Sequence, residues 1–223
     1  MPVTLSLRTF IKSLDVRHRF YADLTRARRI LDLGCGDGVN CVTLRALFPT
    51  LEIFGVDILE PDQAPDFVTY SKVDLNQAML PHESNFFDAI IFTHVIEHLS
   101  APLSLGPEIN RVMKRGARIY VETPNWTTTL VPSFGFKREQ HYPFNFYDDP
   151  THLKPWSKHG LFEFLFRSCR LNVQRTGTVR NWLRIPLDFG IIPYGLITGN
   201  RRYVISSFWN LYGWCIYGVA SKD

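Results

Sequence analysis

One run constrains this chain more than any other: Arg28-Arg29-Ile30-Leu31-Asp32-Leu33-Gly34-Cys35-Gly36-Asp37-Gly38. Ile30, Leu31 and Leu33 read as a strand buried on both faces. Gly34, Gly36 and Gly38 carry no Cβ, so the chain can turn sharply there and its backbone can come close to a ligand. Val39, Val42, Leu44, Leu47 and Phe48 follow with helical spacing, which points the amides of a helix N-terminus at the same place. Further on, Ile53-Phe54-Gly55-Val56-Asp57 reads as a second buried strand ending in an acid. A carboxylate there is placed to accept both hydroxyl hydrogens of a ribose. The first third of the chain describes a nucleoside pocket.

Two cofactor chemistries use this layout. A dinucleotide needs backbone amides around its pyrophosphate and usually a further glycine for helix packing. Here Asn40 stands two residues after Gly38, and Asp32 and Asp37 flank the turn. Those acids would repel a pyrophosphate. They suit a cofactor that carries an ammonium and a sulfonium.

The rest of the chain alternates. Arg29–Leu33, Glu52–Asp57, Phe67–Val73, Phe87–Thr93 and Ala117–Thr123 read as strands. Val39–Phe48 and Leu103–Lys114 read as helices, with a short turn near Gln77–Leu80. Such alternation gives an α/β fold, a mostly parallel sheet with helices on both faces and ligands at the carboxyl ends of the strands. Leu7, Phe10, Ile11, Leu14, Phe20, Tyr21 and Leu24 give residues 1–27 helical spacing, and this leading segment is a candidate lid. Residues 124–156 form a long loop rich in proline and aromatics, including Trp126, Phe134, Phe136, Tyr142, Phe144, Phe146 and Tyr147. Loops of that length usually carry function, the alternative being a structural flap with its own small aromatic core. Ser157–Cys169 reads as an amphipathic helix capped by Ser157. Leu171–Val179 and Trp214–Ala220 read as a closing antiparallel pair. A single domain of 223 residues holds all of this.

Composition narrows the partners. A net charge of +4 is too mild to imply nucleic acid, and none is expected. Cys35, Cys41, Cys169 and Cys215 show no CxxC or zinc-like spacing, so a reducing cytoplasm is the expectation. There is no leading apolar run of signal type, and no apolar run as long as a membrane span. Residues 182–212, between the last two strands, are apolar and aromatic with arginines at the edges, and only Asp188 and Asp223 are acidic after Glu163. That pattern predicts peripheral contact with anionic lipid at the inner membrane face. A cap on the sheet edge and a dimer face are the alternatives, and the oligomeric state stays open.

Three further motifs carry chemistry. Asp74 follows the third strand in Ser71-Lys72-Val73-Asp74-Leu75-Asn76. The fourth strand runs into Thr93-His94-Val95-Ile96-Glu97-His98-Leu99, where one helical turn would present His94, Glu97 and His98 together. The long loop ends in Asp149-Pro150-Thr151-His152-Leu153-Lys154-Pro155-Trp156-Ser157.

With the glycine-rich turn and Asp57, these motifs resemble the class I S-adenosylmethionine-dependent methyltransferases, over about residues 28–220. The resemblance implies a Rossmann-like sheet of seven mostly parallel strands with an antiparallel last strand. It implies cofactor contacts from Asp32, Gly34, Cys35, Gly36, Asp57, Ile58, Asp74, Leu75 and Thr93. Asp74 would hold the adenine amino group and Leu75 would pack on the ring. The Glu97-His98-Leu99 stretch is similar to small-molecule O-methyltransferases. His152 before its aromatic-Ser cap is similar to metal-dependent members, among them ubiquinone-pathway and small-RNA 2′-O-methyltransferases. The implied catalytic group is His94, Glu97, His98 and His152, in one of two roles. The four hold a divalent ion, with His94 standing where the family has a glutamate. Three imidazoles and one carboxylate would favour Mn, Fe, Co or Zn over Mg. Alternatively no metal takes part, and His98 or His94 is the base that deprotonates a hydroxyl, oriented by Glu97. The DPTHLKPWS loop and the apolar insert resemble methyltransferases of bacterial surface-polysaccharide clusters. That implies O-methylation of a small-molecule sugar or a glycolipid, the sugar being nucleotide- or lipid-linked. A polyprenyl-quinone O-methyltransferase and a non-catalytic cofactor-binding partner subunit are the alternatives.

Overall fold

Strand residues alternate between two separate cores, and that alternation sets the architecture. The computed structural model describes residues 15–77, 79–133 and 143–223. Among the described residues there are seven strands: β1 (Arg29–Leu33), β2 (Glu52–Asp57), β3 (Val68–Lys72), β4 (Phe87–Thr93), β5 (Met113–Pro124), β6 (Asn172–Thr178) and β7 (Cys215–Ser221). They form one sheet in the order β3-β2-β1-β4-β5-β7-β6. The first five pair in parallel, and β7 runs antiparallel to both neighbours.

On one face Leu31, Leu33, Ile90, Phe92, Ile119 and Val121 pack with α3 (Pro102–Val112) and α4 (Lys158–Glu163). On the other, Ile30, Ala89, Ile91 and Tyr120 pack with α1 (Val16–Ala22) and α2 (Val39–Leu47). A strand buried on both sides must be apolar at nearly every position, which is why β1 and β4 are mostly hydrophobic, each broken by one aspartate, Asp32 and Asp88.

Several boundaries differ from the sequence expectation for local reasons. The helix expected to reach Lys114 ends at Val112 because β5 begins at Met113. The helix expected over Ser157–Cys169 is α-helical only to Glu163. A π turn, Phe164–Ser168, completes it, and the amide of Cys169 donates to the carbonyl of Phe164. Ser157 caps it as expected, accepting from the amide of Gly160. Residues 182–212 fold mainly as a hairpin of two helices, α5 (Ile185–Ile197) and α6 (Arg201–Tyr212). Leu7, Phe10, Ile11 and Leu14 of the leading segment lie outside the described residues, as do Phe134, Phe136 and Tyr142 of the long loop.

Candidate active site

The carboxyl ends of β1, β2, β3 and β4 meet at the glycine turn. Gly34, Gly36 and Gly38 all have positive φ, at 70°, 51° and 78°. Gly34 has no room for a side chain, since a Cβ would lie 2.2 Å from Val95 Cγ2. Gly36 is the reverse: nothing lies within 4 Å of where its Cβ would be. That open cradle sits beside the N-terminus of α2, which no side chain caps. Asp57 is locked at its edge, accepting from the amides of Gly36 at 2.8 Å and Leu59 at 3.2 Å. A carboxylate has about four lone-pair sites, so two remain for a diol. The site thus fits a nucleoside cofactor.

The other expected cofactor residues take graded positions around this cradle. Ile58 is 61% exposed at the rim, whereas Cys35 and Leu75 are nearly closed off and join the core. Asp74 is half-buried and holds Asn76 through its amide at 2.9 Å. Asp32 is wholly buried, and burial pushes its carboxyl up to about 7. Its partners are Asn40 at 3.4 Å and the Cys41 thiol at 3.5 Å. Asn40, standing where a glycine would be usual, is a hub. Its amide donates to Asp32 and to Thr93 Oγ1 at 3.0 Å, and its carbonyl accepts from Tyr21 at 3.0 Å and Arg17 at 3.4 Å.

His94, Glu97, His98 and His152 do converge, but as two groups. His94 leaves β4 with φ at 56°, a left-handed conformation that costs a non-glycine residue roughly 1–2 kcal/mol. That twist swings its imidazole between two carboxylates. Its Nε2 lies 3.3 Å from Glu122 Oε1 and its Nδ1 lies 3.5 Å from Glu97 Oε1. Burial pulls its pKa down, but Cys215, Glu122 and Glu97 outweigh that and hold it well above the usual histidine value. Glu122 is itself buried. Despite that burial, Arg17 at 2.5 Å and His94 keep it ionised, far below the carboxylate range. The Tyr120 hydroxyl donates to it as well.

The second group is Glu97, His98 and His152, whose ligand atoms lie within 4.8 Å of one another. The His152 Nδ1–H donates to the carbonyl of Phe146 at 2.6 Å, and His98 Nδ1 meets the Thr151 hydroxyl at 2.9 Å. Those partners leave each Nε2 as a bare acceptor. Burial lowers the His152 pKa, which favours the neutral ring. Glu97 is fully buried, and its Oε2 accepts from Thr123 while Oε1 has no hydrogen-bond partner. A carboxylate oxygen without a hydrogen bond, within 4.8 Å of ring nitrogens of His98 and His152 and also 3.5 Å from His94, is a donor set that fits a divalent transition ion. The amides of Leu153 and Lys154 both donate to the Glu97 carbonyl, so the loop is stapled onto the turn that carries the acid.

Beside His94 opens a cavity of ≈ 330 Å³. Arg17, Glu122, Arg184 and Asn210 supply its polar lining, and Trp209 and Trp214 supply its aromatic wall. The two indoles stack at 4.8 Å and donate their N–H groups to the carbonyls of Pro143 and Phe144. What they offer the cavity is therefore apolar surface. Sequence reasoning missed Glu122 and Arg17. The only local signal was a lone acid in the apolar strand Ile119-Tyr120-Val121-Glu122-Thr123.

A seven-stranded sheet with a reversed last strand and a nucleoside cradle over its parallel half defines the class I methyltransferase fold. The methyltransferase domain family matches residues 7–167, and the chain belongs to that family. Residues 7–167 thus form a methyltransferase domain. The chain is 29% identical over 117 residues to a probable S-adenosylmethionine-dependent methyltransferase of Mycolicibacterium smegmatis, covering 51% of this chain and 45% of that protein. It is 27% identical over 108 residues to an uncharacterized 37.1 kDa protein in a Streptomyces fradiae transposon, covering 45% of this chain and 31% of that one. The matches thus span less than half the length of these curated relatives. Among solved structures, a SAM dependent methyltransferase from Archaeoglobus fulgidus aligns with a TM-score of 0.59 at 22% identity, covering 92% of this chain and 94% of that one. At that identity the likeness is one of fold.

Proposed function

We propose that this protein transfers a methyl group from S-adenosylmethionine to a hydroxyl of a sugar carried on a nucleotide or a lipid. The observation that supports it is the cavity beside His94, lined both by charged and amide groups and by the Trp209–Trp214 pair. A sugar ring is apolar on its C–H faces and hydrogen-bonds around its rim, so it matches a pocket of that mixed character. The sulfonium donor is already activated. The protein has only to position the acceptor and take its proton.

His94 is the group of the four that lines the cavity. Above its raised pKa the neutral imidazole accepts the hydroxyl proton. The imidazolium that results sits between Glu97 and Glu122, which stabilise it. Arg17 keeps Glu122 ionised and in place. A second reading adds a divalent ion on Glu97, His98 and His152, supported by the closeness of their ligand atoms. When bound, such an ion would acidify a coordinated hydroxyl.

The test is transfer of labelled methyl from S-adenosylmethionine to nucleotide-sugars, polyprenyl-diphosphate-linked sugars and a polyprenyl hydroquinone, with and without EDTA. Label in a sugar acceptor is expected, and Asp57→Ala should lose it together with cofactor binding. Label only in the hydroquinone would refute the sugar assignment. Activity lost to EDTA and restored by Mn, with His152→Ala depleting bound metal, would establish the ion. Activity indifferent to EDTA would leave His94 as the base alone.

A further inference from the structure

Helix α5 is built inside out. Its one acid, Asp188, is fully buried, held by Arg184 at 2.9 Å and Asn210 at 2.5 Å. Ile185, Ile191 and Ile192 share the acid's side and are half-buried, but the other large apolar residues point outward. Phe189 is 69% exposed, Leu196 67% and Ile197 86%, and Leu187, Tyr194 and the preceding Trp182 are exposed too. A surface helix in water shows the opposite arrangement, with its apolar stripe on the core and its charges outside. Only Asp188 and Gly195 of α5 are fully buried. An apolar face of this size marks an interaction site.

Charge identifies the partner. From Phe164 to Lys222 the chain has eight basic residues and one acid, and that acid is the buried Asp188. Arg201 and Arg202 are exposed at the start of α6, beside the exposed end of α5. Apolar side chains with tryptophan, tyrosine and arginine around them suit the boundary between acyl chains and anionic headgroups. The helix has 13 residues, so it is about 20 Å long and cannot cross a ~30 Å hydrocarbon core. No helix among the described residues is long and apolar enough to cross a membrane. An in-plane position is the arrangement left. The opposite side of the same hairpin reaches the active site, since Arg184, Trp209 and Asn210 line the cavity.

We propose that the α5–α6 hairpin docks the enzyme onto an anionic lipid surface, with the outer face of α5 in the interface and the inner face walling the acceptor cavity. This placement is independent of the acceptor's identity. The test is co-sedimentation with phosphatidylcholine vesicles made with and without phosphatidylglycerol, at low salt and at about 0.5 M salt, where the Debye length has shrunk to a few ångströms. Wild type should pellet with the phosphatidylglycerol vesicles at low salt, and the bound fraction should fall several-fold at high salt. Phe189→Glu with Ile197→Glu should abolish binding, and Arg201→Glu with Arg202→Glu should weaken it. Both variants should keep the thermal shift that S-adenosylhomocysteine gives, which shows that the fold survives. Wild type remaining in the supernatant at low salt would overturn the proposal. Equal binding to both vesicle types, unmoved by salt, would overturn its electrostatic half. If wild type ignores vesicles but is a dimer by light scattering, and Phe189→Glu with Ile197→Glu makes it monomeric, the face is a self-association surface and the proposal fails.

Discussion

Replacing Glu122 with glutamine should lower the pKa of His94 measurably, in the absence of any substrate. In the wild type, Glu122 Oε1 is 3.3 Å from His94 Nε2. Two unit charges at that distance interact by roughly 5 kcal/mol at an effective dielectric constant of 20, and by roughly 1.3 kcal/mol in bulk water. The His94 side chain is 39% exposed, and Glu122 already shares its charge with Arg17, so the lower figure is the better guide. Removing that attraction lowers the His94 pKa. Losing the carboxylate also leaves the Arg17 guanidinium near the ring, which pushes in the same direction. The assay is an NMR titration of the histidine ring protons, with His94 assigned by its disappearance in His94→Gln. The wild-type ring should titrate clearly above the ordinary histidine value, and Glu122→Gln should bring it down. The sign carries over to stability. A histidine raised in the folded state contributes stability that is complete below its unfolded pKa near 6.5, and that is lost as pH rises through the folded value. The wild-type melting temperature should therefore fall between pH 6.5 and the measured His94 pKa, more than in Glu122→Gln. An unshifted His94 in the wild type, or a glutamine variant with the same titration, would refute the two-carboxylate account of its basicity.

The remaining predictions concern the cradle. Gly36→Ala should cost the apo protein only about 1 kcal/mol of left-handed strain, because its Cβ meets nothing, yet it should abolish the melting shift given by S-adenosylhomocysteine. Gly34→Ala should lose that shift too, and should also destabilise the apo protein further, since its Cβ would collide with Val95. A retained shift in Gly36→Ala would place the cofactor elsewhere. Asp32 has a folded pKa of about 7, raised by burial above its unfolded value, so the stability it contributes is present only at low pH and is lost as pH rises through 7. Asp32→Asn should consequently raise the melting temperature at pH 8, by about a few kcal/mol of stability, with the gain fading toward pH 4. Equal melting temperatures at pH 8 would show that Asp32 is not ionised at cost.

Local pattern carried much of this protein. The strand boundaries of β1, β2 and β4 follow from runs that must be apolar on both faces, and the turn at Gly34–Gly38 follows from backbone angles that favour glycine. Asp57, His94, Glu97 and His98 were legible as residues at a strand end or in the turn after it, whereas the place of His152, in the long loop, was expected only from the family resemblance. Other features depend on pairs far apart in the chain. Arg17 meets Glu122 across 105 positions, and no spacing rule reaches that far. The partition of the histidines is similar: His94 belongs with Glu122 as well as Glu97 only because the left-handed twist after β4 turns it toward β5. In residues 182–212 the sequence determined the apolar character and the scarcity of acids. Which side of α5 faces out depends on tertiary partners. A carboxylate out of water needs hydrogen bonds, Arg184 and Asn210 supply them to Asp188, and with Asp188 and the half-buried Ile185, Ile191 and Ile192 turned inward, Phe189, Leu196 and Ile197 lie outside.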